Sequence, residues 1–382
     1  MRLYWMTQMV ICIHAGYPSQ PGGAFVTADT SLDNRFAQRV SHGLLWSVML
    51  PFKLVYSDDY YLPIGAHVFP AEKYRLIHKR LLETGLAEAS DFVTPEPASD
   101  EDVLLVHTRE YVRKLKTGTL SAAEEMQMEV PYSPELVKAF WLAAGGSILA
   151  ADLALRSGIA VNIGGGFHHA FPDHGEGFCV VHDVAVAIRR MHHEGKLTRA
   201  MTVDLDVHDG NGTAAIFPPR ENPNNLPSSG GIRHDLRRSM TDLNLHGPSH
   251  GELEVFTISL HQAHNYPAYK PPSSIDVHLP DATNDEEYLG WLDQALSSAF
   301  RHFEPELICY IAGADPYKED QLGGLALTIE GLKQRDELVL KVAKTRNVPV
   351  MVTYAGGYAH RVEDTVTIHC NTVQAANEIF QS

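Results

Sequence analysis

Cysteine is scarce. The 382-residue chain has four, Cys12, Cys179, Cys309 and Cys370, with no CxxC pair among them. That spacing excludes a disulfide scaffold and a thiolate zinc site, and predicts small buried side chains in a reducing compartment. Long apolar runs are missing too: no stretch reaches the roughly 18 consecutive apolar residues of a membrane-spanning helix. The N-terminal MRLYWMTQMVICIHAGYP is interrupted by Thr7, Gln8 and His14 and has no convincing small-residue cleavage site, so it does not read as a secretion signal. A cytoplasmic location is the expectation. Basic residues are in deficit, with 31 Lys and Arg against 47 Asp and Glu and a formal net charge of −16. A surface that acidic repels phosphate backbones, so nucleic acid is a poor partner, and lysine side chains or polyamines are better ones. No internal repeat runs at a fixed period.

What is present is a regular alternation. Residues 1–50 carry Pro18, Pro21, Gly22 and Gly23 without periodicity and read as an N-terminal extension; the folded domain is expected over 51–382, from a short strand at Phe52–Tyr56. Apolar spacing predicts helices over Glu135–Arg156, Asp183–His193, Asp285–Phe303 and Gly331–Thr345, and a last one ending near Phe380. Short apolar runs predict strands at Ile159–Ile163, Arg199–Val207, Val255–Leu260, Leu307–Ala312 and Val348–Tyr354. Strands alternating with amphipathic helices predict an α/β fold, a single-domain open parallel sheet with helices on both faces. Residues 218–254, loaded with Pro, Asn, Ser and Gly, read as a loop insertion, either a gate or partner surface or a tolerated insertion without a role.

In open parallel sheets ligands bind beyond the carboxyl ends of the strands. Four such ends carry chemistry: Gly164–His169, Asp204–Gly212, Gly313–Asp315 and Ala355–Tyr358. Glycine permits tight turns and close backbone approach there. With a strand period of 2, Asp204, Asp206 and His208 point to one side, and a cation resolves the charge they gather. Asp206 and His208, joined by Asp315 from another strand, make a two-carboxylate, one-imidazole set with a coordination position left open, suited to Zn2+ with Fe2+ as competitor. His168 and His169 are placed for acid–base work, and Asp204 and Asn211 are the types that fix histidine tautomers. Tyr358 offers a phenol to a developing oxyanion. His192 and His193, at a helix end, are given no role.

The motifs GGGFHHA, VDLDVHDGNG, AGAD and AGGY, in this order, resemble the histone deacetylase family of zinc amidohydrolases, over roughly Phe52 to the C-terminus. Leu322–Leu325, Gly331 and Arg335–Glu337 are similar to its class IV branch and bacterial relatives. The resemblance implies an arginase/deacetylase-like three-layer sandwich and hydrolysis of an acyl amide by metal-activated water. It implies Zn2+ on Asp206, His208 and Asp315, His169 as general base and then acid, and His168 as its electrostatic partner. Asp204 would pair with His168, Asn211 with His169, and Tyr358 would polarise the scissile carbonyl. Gly177 and Phe178 match the wall of an acyl-lysine tunnel, and Ser259 and Leu260 match contributors to a structural K+ site beside Asp204, Asp206 and His208. Two departures stand out. Asn211 replaces the Asp of some branches, and Asp209 replaces a His or Gln, adding negative charge near the metal. The implied substrate is an acyl-lysine protein or peptide, or an acylated polyamine. An arginase-type ureohydrolase would need a second metal and a carboxylate where Asn211 stands. An inactive acyl-lysine binding module would not need the complete set of ligands, histidines and tyrosine.

Overall fold

A segment such as Leu307–Ala312, LICYIA, has no polar face to give to solvent, so it can only lie between strands with helices above and below. A computed structural model of the protein describes residues 49–219 and 251–381, and every residue of that segment is buried in it. The strands are β1 (Lys53–Val55), β2 (Phe92–Val93), β3 (Ile159–Asn162), β4 (Arg199–Asp204), β5 (Glu254–Gln262), β6 (Ile275–Leu279), β7 (Leu307–Ala312) and β8 (Val350–Tyr354). They form one sheet in the order β2-β1-β3-β8-β7-β4-β5-β6, and every ladder is parallel.

The α-helices are α1 (Lys73–Thr84), α2 (Asp100–Val103), α3 (Arg109–Thr117), α4 (Ala122–Met128), α5 (Pro134–Ser157), α6 (Asp183–His193), α7 (Asn211–Ile216), α8 (Asp285–His302), α9 (Ile329–Arg346) and α10 (Val362–Phe380). Local chemistry sets their ends. The Ser133 side chain accepts from the Leu136 N–H, Pro134 occupies the first turn, and Gly158 closes α5 at φ 90°. Asn284 and Glu287 form a capping box at the start of α8. α5 packs on α6 and against β1, β3 and β8, while α1, α10, α9 and α8 pack one on the next. α5 is long and apolar enough to cross a membrane, but 78% of its most apolar window is buried inside the fold. Cys179, Cys309 and Cys370 are buried free thiols, as their spacing predicts.

The central strands stand within two residues of expectation, with one consequential difference. β4 ends at Asp204, and residues 205–208 continue as a bend. Leu205 N–H still donates to Ile311 O (3.0 Å) and Val207 O accepts from Gln262 N–H (2.9 Å), so the bend stays wedged between β7 and β5. It is this bend, rather than strand alternation, that presents Asp206 and His208. α1 to α4, α7, β2 and β6 were not expected, and β2 and β6 are the two edges of the sheet. Most of 218–254, and residues 1–48, lie outside the described residues. Residues 49–219 and 251–381 belong to one compact unit.

Arg335 shows how a helix fixes the sheet's carboxyl end. Its fully buried guanidinium pairs with Asp336 (2.8 Å) and donates to Gly313 O (2.6 Å) and Leu205 O (3.2 Å), the carbonyls beside Asp315 and Asp206. Arg335→Met should cost about 3–5 kcal/mol, because it takes the counter-charge from the buried Asp336 carboxylate and the guanidinium donor from two carbonyls. Denaturant unfolding measures this, and a loss under about 1 kcal/mol would contradict it.

Candidate active site and metal centre

The carboxyl ends of the four adjacent strands β3, β8, β7 and β4 converge on one point. Asp206 and His208 come from the bend after β4 and Asp315 from the turn after β7, all three buried, with one ligand atom of each within 4.8 Å of the others. Asp206 accepts from the Gly356 N–H (2.8 Å) and the His208 N–H (3.0 Å), and Asp315 from the Val207 N–H (2.9 Å). Two glycines make room: a side chain at Gly356 would overlap the Asp315 carboxylate, and one at Gly313 would come 2.6 Å from Asp206 Oδ2.

The electrostatics of this set fit a divalent cation. Burial and the neighbouring Asp206 carboxylate push Asp315 up to about 7, and its Oδ2 accepts no hydrogen bond among the described residues. Burial opposes charge on His208, but the facing carboxylates of Asp206 and Asp315 win and hold it at about 10. A proton shared this way between an imidazole and two carboxylates is what a bound metal displaces.

The two histidines after β3 differ through their partners. His168 Nδ1 lies 2.7 Å from Asp204 Oδ2, with its Nε2 3.8 Å from Asp206 Oδ1. Burial pulls the ring toward neutrality, yet these carboxylates raise it to about 9. His169 Nδ1 lies 2.7 Å from Asn211 Oδ1, and Asn211 Nδ2 donates to Glu176 Oε1 (2.7 Å). The amide is thereby oriented with its oxygen toward His169, which fixes Nδ1 as the N–H and leaves a lone pair on Nε2. Burial first, and then the neighbouring His168 and His208, push His169 well below the usual histidine range.

A pocket of about 180 Å3 opens above these rings, lined by His169, His208, Gly177, Phe178, Tyr266, Tyr358, Glu129, Asn265 and Leu322. Phe178 (φ 66°) stands with its ring centroid 6.0 Å from that of Tyr358, and Tyr266 stands perpendicular to His169 at 5.1 Å. At Gly177 (φ 52°) a Cβ would fall 2.8 Å from the His169 ring. The Tyr358 backbone is pinned: its N–H donates to Asp320 Oδ2 (2.6 Å) and its carbonyl accepts from Gln321 Nε2 (2.8 Å). Burial raises the Tyr358 phenol well above its usual range, so it is a donor.

The structure thus brings His168, His169, Asp204, Asn211, Asp206, His208, Asp315, Gly177, Phe178 and Tyr358 to one place. Ser259 lies beside Asp204 in the β4–β5 ladder, with Leu260 following it. Asp209 does not face this set; it faces His261 and Asp276. Sequence reasoning missed Lys73, Glu129, Glu176, Tyr266 and Asp320. Lys73 is fully buried, donates to Ala355 O (2.5 Å), and is lowered to about 8 by burial against the pull of Asp315 and Asp206. Only Glu176, inside GEGFC, carried a local signal.

Comparison with known proteins agrees with this geometry. Residues 67–373 match the histone deacetylase domain. An uncharacterized protein of Picosynechococcus is 36% identical over 330 residues, 86% of this chain and 99% of its own. Histone deacetylase 2 of Arabidopsis thaliana is 32% identical, covering 80% of this chain and 74% of its own. The acetoin utilization protein AcuC of Bacillus subtilis is 29% identical over 72% and 69%. The crystal structure of an HDAC homolog from Aquifex aeolicus shares the fold at TM-score 0.62 and 22% identity, covering 87% of this chain and 88% of its own. With the domain spanning most of its length and the relatives sharing it, this chain belongs to the histone deacetylase family, a deacetylase-type hydrolase of amide bonds.

Proposed function

We propose that the protein removes acyl groups from lysine side chains of a protein or peptide, with zinc bound by Asp206, His208 and Asp315. The observation that carries this reading is the aromatic pocket, whose floor holds a neutral imidazole, a phenol donor and a metal-ligand set together. A slot lined by Phe178, Tyr266 and Tyr358 suits an unbranched aliphatic chain entering lengthwise. When bound, zinc would supply Lewis acidity to the hydrolytic water and the amide carbonyl; Fe2+ suits the same donors. His169 Nε2 takes the proton of the attacking water and later gives it to the departing amine nitrogen. His168, held protonated against Asp204, offsets charge beside it. The Tyr358 hydroxyl donates to the carbonyl oxygen as negative charge grows there.

Glu129 lines the same pocket and favours a second reading, in which a cationic acylated polyamine enters instead. Turnover of acetyl-, octanoyl- and myristoyl-lysine peptides beside N-acetylated polyamines separates the two. A kcat/KM highest on a lysine peptide supports the first reading, and preference for the polyamines would replace it. Tyr358→Phe should lower kcat by about 10²–10³-fold at unchanged metal content. Near-normal turnover in that variant would remove Tyr358 from its role.

A further inference from the structure

A second group of ligand-type side chains lies at the edge of the sheet, outside the pocket. Ser259 and His261 share one face of β5, and in the β5–β6 ladder they stand opposite Asp276 and His278. The residue after His208 reaches the same face: one ligand atom each of Asp209, His261 and Asp276 lies within 4.8 Å of the others. Asp209 is 1% exposed, and neither of its carboxylate oxygens accepts a hydrogen bond among the described residues; nor does Asp276 Oδ1. The ring nitrogen facing Asp209 Oδ2, His261 Nε2, is 3.3 Å away and is engaged with His278 Nδ1 at 2.7 Å. Lys270 is the nearby ammonium, but it is spent on the carbonyls of Asn265 (2.6 Å) and Pro267.

We propose that Asp209, His261 and Asp276, with His278 beside them, bind a second divalent transition-metal ion such as Zn2+. Two carboxylates brought together, with the nearest ammonium bonded elsewhere, are costly, and a buried acceptor left without a donor is costly again. A divalent ion removes both penalties, and mixed imidazole and carboxylate donors select zinc and its first-row neighbours over K+ or Mg2+. The His261 ring is fully buried and faces Asp209. Its Nδ1 lies 2.8 Å from Ser259 Oγ, the kind of supporting hydrogen bond that orients a ligating imidazole. The ion would tie the bend that carries His208 to β5 and the edge strand β6, stiffening the catalytic set from behind without entering it.

The test is metal stoichiometry, which does not depend on turnover. The full-length chain, stripped of metal, is dialysed to saturation against Zn2+ and its zinc counted. Two ions per wild-type chain are expected, with one in the double variant His261→Gln/Asp276→Asn and one in Asp315→Asn. Saturation of the wild type at a single ion, or a double variant that keeps both, would overturn the proposal. Should the double variant fail to fold, anomalous diffraction at the zinc edge decides on the wild type. A peak between Asp209, His261 and Asp276 is expected, and a peak at Asp206, His208 and Asp315 with none at the edge site overturns it.

Discussion

Asp315→Ala should abolish hydrolysis and empty the catalytic metal site while the protein stays folded. Asp315 is one of the three proposed ligands, sits fully buried, and is pushed up to about 7 by burial and Asp206, so its charge is stabilised mainly by whatever cation it faces. Losing a group that merely supports a ligand typically costs about 10–100-fold in metal affinity or activity, and loss of the ligand itself should exceed that. Its Oδ1 also accepts the Val207 N–H, and that orphaned donor adds a modest stability cost of about 1–3 kcal/mol. Metal content and turnover measured on the same sample test both halves. A variant that keeps its catalytic metal would remove Asp315 from the ligand set.

The second large effect is expected at His169. Truncation to Ala should lower kcat by about 10²–10⁴-fold, the usual contribution of a positioned acid–base group, with metal content unchanged. The prediction is specific to this histidine. His168 is tied to Asp204 and raised to about 9, so it holds its proton; His169 faces the amide of Asn211 and is pushed well below the usual range, so it is free to accept one. Near-wild-type turnover of His169→Ala would transfer the base role elsewhere. The two rings are adjacent in sequence and 4.0 Å apart by centroid, so nothing but their partners separates them.

The parts of the fold that were legible in the sequence are those whose physics is local. β3, β7 and β8 are buried at every residue, and a short, mostly apolar run that ends within two residues of a glycine has few other readings. α5 announces itself through Ser133, Pro134 and Gly158. The edge strands hide for the opposite reason. β2 has two residues, and β6 is mostly half-exposed, so neither shows a long apolar run. α1 to α4 fall where polar residues dominate, and their buried stripes are narrow: α3 buries only Tyr111, Val112 and Leu115.

The site divides along the same line. Its strand-end residues are marked by glycines that a tight approach requires, as Gly356 is beside Asp315, and such marks survive in the sequence. Lys73, Glu129, Tyr266 and Asp320 arrive from other elements, and no neighbouring residue signals their destination. Asp209 shows the limit of reasoning from adjacency. It follows His208 directly, yet the bend after β4 turns it toward His261 and Asp276, so its charge belongs to a different group.

The central claim is hydrolysis of an acyl-lysine amide that depends on the ion held by Asp206, His208 and Asp315. The most direct test is turnover of an acyl-lysine peptide by the purified chain before chelation, after chelation, and after zinc is restored. Activity that vanishes with the metal and returns with about one equivalent at the catalytic site is the predicted result. Hydrolysis that persists in the chelated protein, or none from a sample with zinc confirmed at that site across the whole substrate panel, would contradict it.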